Sequence, residues 1–256
     1  MKNMSNFLHV RLGWWATLLL VLVTTGVAYA ETDGQSKRLF MPAILIGPAM
    51  DCNVPGASFT SLSIKGEPLT VNPETNRDVN LGARGYKRVN APLKLVALGS
   101  VHDRKAPQLP GMFGDRRTPA FTSAYDADLG PYQQWEVTLL GMGTAKGEVI
   151  YTPDSGYDIG GGYEYLVMYA SETRVTLHIG REDEFFGYVL HIEDVCVDPD
   201  LLALYRQMHA AGRRSLPALR GHDPFGRAMG VEVKAAVRDS GSFMDPRSRN
   251  DWWQGR

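Results

Sequence analysis

The chain has few cysteines, no excess of either charge and, beyond its first thirty residues, no long apolar run. Each shortage removes a class of protein. Only two cysteines occur in 256 residues, which excludes a disulfide-dense scaffold and a multi-cysteine zinc module. The 27 Lys+Arg stand against 28 Asp+Glu, a formal net charge of −1. Proteins that neutralise nucleic-acid phosphates carry a basic excess, so no nucleic-acid partner is expected. Near-neutral charge together with 44% hydrophobic residues also excludes wholesale disorder. The H-E-x-x-H and G-x-S-x-G signatures do not occur, and no G-K-[ST] follows Gly160-Gly161-Gly162, so that triplet reads as a turn or bulge, not a phosphate loop.

What is present begins with an export signal. Lys2 and Arg11 precede the uncharged stretch Leu12 to Val27, and Ala28-Tyr29-Ala30 supplies the small residues that signal peptidase requires. Residues 1–30 are therefore expected to be a signal peptide, with an uncleaved anchor as the competing reading. The run is short against the roughly 20 apolar residues of a spanning helix. Cleavage implies a periplasmic or secreted protein with no membrane contact afterwards. Export favours a disulfide between Cys52 and Cys196, because oxidising compartments pair thiols. Two buried free thiols are the alternative.

Residues 31–57 read as a leader segment. From 58 to 256, short β-rich runs alternate with turn signals, giving one mainly β domain, a barrel or a sandwich. Strand-like runs are Leu93 to Leu98, Trp135 to Leu140, Glu148 to Tyr151, Tyr163 to Ala170 and Glu232 to Val237. Residues 102–134, rich in Pro and Gly, read as an irregular insertion. The spacing of Leu201, Leu202, Leu204, Tyr205 and Met208 predicts one amphipathic helix over 199–212. Asp198 is placed to cap it, Pro199 to start it and Gly212 to stop it.

The clearest hairpin joins Arg174 to Ile179 with Tyr188 to Ile192 across the acidic link Glu182-Asp183-Glu184, expected to be a solvated turn. A hairpin centred between Glu184 and Phe185 would set His178 opposite His191, with Cβ atoms about 4.5–5.5 Å apart. Two imidazoles so placed share a metal, a proton or a carboxylate. A slipped register would instead leave a structural pair. Of the other histidines, His209 beside Tyr205 reads as a packing residue. His102 and His222 read as solvated loop residues next to Asp103 and Asp223. Trp252, Trp253, Tyr163, Tyr165, Tyr169, Phe185 and Phe186 offer either a sugar-stacking surface or core.

Four segments resemble the lysostaphin-type zinc endopeptidase domain, the LytM fold, whose members cut peptide cross-links of peptidoglycan. Residues 146–156 (KGEVIYTPDSG) are similar to the family's G-x-x-V-x-A-P-x-x-G turn. Residues 188–192 (YVLHI) resemble its Y-x-H-L segment, which places His191 at a catalytic histidine. Residues 216–226 (LPALRGHDPFG) resemble its V-x-x-G-x-x-I-G turn, and 232–246 (EVKAAVRDSGSFMDP) resemble H-L-H-F-E-I-R-D-x-G-x-x-x-D-P. The helix at 199–212 is an insertion relative to these motifs. Glu232 and Lys234 then occupy the H-x-H positions, one a zinc ligand and one catalytic. The family's H-x-x-x-D pair falls on Trp135 and Leu139, or on Glu74 and Asp78, and neither supplies a histidine. Catalytic zinc requires three protein ligands and an open water position.

The resemblance therefore implies a LytM-like β domain without catalysis, metal or cofactor. Its old cleft, near His178, His191, Glu232 and Lys234, would bind peptidoglycan or a periplasmic protein. A metallohydrolase with remodelled ligands (His178, His191 and Asp78 or Glu232) is the alternative, and a structural envelope protein is the third reading.

Overall fold

A computed structural model describes residues 50–98, 103–127 and 135–254. The expected signal peptide, the leader up to residue 49 and His102 lie outside the described residues.

Within them the chain is mainly β. In order, the elements are β1 (Thr60–Ser63), α1 (Leu81–Arg84), β2 (Tyr86–Arg88), a 3-10 turn (Leu109–Met112), β3 (Phe121–Ala127), β4 (Leu139–Gly143), β5 (Val149–Tyr151), β6 (Tyr165–Ser171), β7 (Arg174–His178) and β8 (Tyr188–Glu193). They continue with β9 (Val195–Val197), α2 (Pro199–Ala210), β10 (Ser215–Leu219), β11 (Pro224–Ala228), β12 (Glu232–Asp239), β13 (Ser242–Phe243) and α3 (Arg249–Trp252). One large antiparallel sheet runs β1-β10-β6-β7-β8-β12-β4-β3-β2, with β13 pairing β12. A three-stranded sheet runs β5-β11-β9.

Of the barrel or sandwich expected, a closed barrel does not form among the described residues. Among the described residues β1 pairs with β10 and β2 with β3. These outer strands sit at opposite ends of the strand order and are four and three residues long. Short edges give little ladder for further pairing. The stretch expected to be irregular, 102–134, contributes β3, a seven-residue strand between β2 and β4. Leu93 to Leu98, expected as a strand, makes one isolated bridge, Val96 to Ser248.

Both sheets bury apolar residues in one core. Leu177, Leu190, Ile192, Val233, Ala235 and Val237 of the large sheet meet Ile150, Val195, Val197, Phe225 and Ala228 of the small one. The chain passes from one sheet to the other at Asp194, whose φ of 62° sets a left-handed corner between β8 and β9. Aspartate tolerates this conformation better than most residues. Helix α2 is capped as its sequence indicates: the Asp198 side chain accepts the Asp200 N–H, and Pro199 fills the first position. Leu201, Leu202 and Tyr205 join the core, and Gly212, at φ 87°, follows the helix end.

The Asp198 carboxylate also accepts the Val54 N–H at 2.8 Å. The Cys52–Cys196 disulfide, spanning 144 positions, fixes the same segment to β9.

Candidate functional site

Strand alternation assigns the four candidate residues to one face. Across β8 and β12, Lys234 opposes Glu193, Ala236 opposes His191 and Arg238 opposes Val189. Across β7 and β8, Arg174 opposes Glu193, Thr176 opposes His191 and His178 opposes Val189. Opposed residues share a face and so do alternate ones. Arg174, Thr176, His178, His191, Glu193, Glu232, Lys234 and Arg238 therefore line the face turned away from the Leu177–Leu190 core. The histidines are not opposite each other. The register is two residues off the expected pairing, which preserves the face but sets His178 and His191 on a diagonal, where separations are about 7–8 Å.

Both histidines are buried, His178 at 1% and His191 at 0% exposure. Thr176 gives its hydroxyl proton to the Val79 carbonyl. His191 Nδ1, 3.2 Å from Thr176 Oγ1, is therefore the donor of that pair. This selects the neutral Nδ1–H tautomer and leaves Nε2 as an acceptor, buried and without a partner among the described residues. Phe243 stacks on the ring at 5.9 Å. Burial, then the positive charges of Arg238 and Arg84, hold the His191 pKa well below 6.5. His178 points Nδ1 at the Glu182 carbonyl, 3.1 Å away, and Nε2 at the Phe186 carbonyl. Burial lowers its pKa as well, against the pull of those two carbonyls. The neutral ring donates to one of the two acceptors at a time.

The other end of the face carries charge. Lys234 pairs with Asp194 and, at 3.5 Å, with Glu232. Its ammonium lies 5.3 Å from the centre of the Tyr125 ring. Burial pulls the Lys234 pKa down, but Asp194 together with the Tyr86 and Tyr125 phenols makes the net shift upward. Glu232 accepts from Ser123 at 2.5 Å and from Thr122. Burial would raise its pKa, yet these hydroxyls and Lys234 bring it below the ordinary value. Gly141 of β4 makes the arrangement possible, because a Cβ there would collide with Ser123 Oγ and the Glu232 carboxylate. Glu193 lies between Lys234 and Arg174, whose Nε is 3.4 Å from Oε2. Burial raises the Glu193 pKa to about 7, against the lowering effect of Arg174.

Asp78, weighed with Glu232 as a remodelled ligand, and Glu74, aligned with it at the family's H-x-x-x-D positions, both have other partners. Asp78 pairs with Arg84 at 2.6 Å and Arg238 at 3.1 Å, and Glu74 accepts the Tyr169 hydroxyl at 2.7 Å. Among the described residues no three His, Cys, Asp or Glu side chains gather as a metal-holding group.

Three other expectations change. Asp183 is not solvated: it is buried and doubly hydrogen-bonded to Arg213, at 2.7 Å each. His222 hydrogen-bonds the Gly111 carbonyl at 2.9 Å and stacks on Tyr151. Of the aromatics considered for sugar stacking, Trp252, Trp253, Tyr165 and Tyr169 are core, and only Phe186 is largely exposed. Sequence reading missed Arg174, Glu193 and Asp194. The signal available was Glu193 following Ile192 in the strand alternation, which assigns it to the histidine face.

Comparison of the chain with models of protein families, with curated proteins and with solved structures finds no match.

Proposed function

We propose that this chain is an exported, non-catalytic domain of LytM-like descent that binds cell-wall peptidoglycan. The observation that carries the reading is the occupant of the ligand position. Lys234 brings a cation where the family places a histidine, and Asp194 and Glu232 hold it there. A fixed ammonium repels a metal ion and binds carboxylates instead. The accessible carboxylates at this end are those of Asp194, 42% exposed, and Glu232, 20% exposed. Lys234 itself is buried, 8% exposed, so it acts by holding these two carboxylates in place, and they suit the amino groups that wall peptides carry. Export is supported by the Cys52–Cys196 disulfide, a bond that oxidising compartments maintain.

A pull-down on purified sacculi tests the reading. Retention at low salt is expected, weakening as salt screens the charges, and Lys234→Ala should reduce it several-fold. No retention of the mature protein would sink wall binding and leave a periplasmic protein as the partner. Metal analysis of untagged protein is expected to find far less than one zinc per chain. Stoichiometric zinc would return hydrolysis to first place.

A further inference from the structure

A second set of residues, separate from the polar sheet face, forms a groove of about 470 Å³ lined by Arg104, Arg249, Asn250, Trp253 and Gln254. Arg104 and Arg249 are exposed. Among the described residues neither guanidinium has an ion-pair, hydrogen-bond or aromatic partner. Other arginines are held by carboxylates, such as Arg213 by Asp183 and Arg247 by Asp245. The acids beside the groove arginines in sequence are turned to other tasks. Asp103 accepts the Tyr157 hydroxyl at 2.6 Å, and the buried Asp251 accepts from Ser248.

The walls are fixed in advance. Buried Gln108 donates to the Asp251 carbonyl at 2.9 Å and accepts the Gln254 N–H at 2.9 Å, tying the 103–108 segment to 251–254. The Trp253 indole N–H donates to the Pro246 carbonyl at 2.8 Å, which leaves the ring an apolar wall. These ties fix the segments that carry Arg104 and Arg249, so binding a ligand does not also have to order the backbone. Two forked cations suit a carboxylate. An indole edge suits a small aliphatic group beside that carboxylate.

We propose that this groove binds the free carboxy terminus of a short peptide. The site itself stands apart from the wall-binding reading, which bears only on whether that peptide comes from the wall or from a protein. Calorimetric titration with L-Ala-L-Ala and D-Ala-D-Ala, each as free acid and as C-terminal amide, tests it. A free acid should bind saturably and its amide at least tenfold more weakly. Arg104→Ala/Arg249→Ala should lose at least tenfold in affinity with an unchanged melting temperature. Should that variant unfold early, Arg104→Gln/Arg249→Gln takes its place. Preference for the D-dipeptide supports a wall stem peptide as the source, and preference for the L-dipeptide supports a protein carboxy terminus. No binding of either acid, equal binding of acid and amide, or an undiminished double variant would overturn the proposal. So would inorganic phosphate competing as well as the dipeptides, since that marks a site for any oxyanion. Sacculus retention is scored separately, so loss of the groove and loss of wall binding are told apart.

Discussion

Glu193 and His191 share one sheet face and respond to pH with opposite sign. Burial favours the neutral carboxyl of Glu193, so the native chain holds a proton that the unfolded chain releases. Stability from this group is full below the ordinary value of 4.5 and is lost as pH rises through about 7. Unfolding by urea from pH 4.5 to 8 should show Glu193→Gln removing a decline on the order of 2–3 kcal/mol. A variant with the same slope as the parent would mean that Glu193 stays ionised in the fold. His191 works the other way. Its depressed pKa makes the unfolded ring the stronger base, so the stability it contributes is lost as pH falls below 6.5. His191→Leu should flatten that acid limb in the same titration. The two slopes partly cancel in the parent, and comparison of the variants separates them.

At the scale of elements, three ties hold strands and loops in place, and each has a measurable cost. Asp183 clamps the β7–β8 connection to the α2–β10 connection through Arg213, and it also accepts the Leu69 N–H at 2.8 Å. Removing one member of a buried ion pair leaves the other charge unmatched, so Asp183→Ala should lose about 3–5 kcal/mol in chemical denaturation. Gly141→Ala puts a methyl into the space that Ser123 and Glu232 fill, an overpacking expected to lose ~1–3 kcal/mol. Neutral behaviour of that variant would show that Glu232 swings aside at little cost. The Cys52–Cys196 bond closes a loop of 144 positions. Replacing both cysteines by alanine should lower stability by about 2–5 kcal/mol, read as the gap between oxidised parent and variant.

For the whole molecule, the two sheets draw on a single apolar core that also takes in α2 and Trp252. Neither sheet retains its buried face without the other. Calorimetry should therefore give one unfolding transition with equal calorimetric and van't Hoff enthalpies. Two resolved transitions would mean that the sheets are separately stable. The same organisation explains the character of the candidate site. One face of the large sheet is spent on the core, and the other carries Arg174, Glu193, Glu232, Lys234 and Arg238, compensated by one another and by Asp78, Ser123 and Asp194.

Residues close in sequence already determined much of this. β6, β7, β8, β12 and α2 follow from alternation, β-branched content and capping at Asp198, all set within a few residues, and the expectation of export pointed to the pairing of Cys52 with Cys196. Glu232 and Lys234 stood out because a motif placed them side by side on one strand face. Other features were decided only when distant segments met. The alternation within β7 and β8 is satisfied equally well by registers two residues apart, since either keeps the same side chains inward, so the offset of His178 from His191 was set by the hairpin as a whole. Tertiary packing sent Trp252, Trp253 and Asp183 inward, because burial depends on which surface arrives to cover a residue. An acid becomes a core residue once Arg213 reaches it, and nothing near Asp183 in the chain announces that encounter.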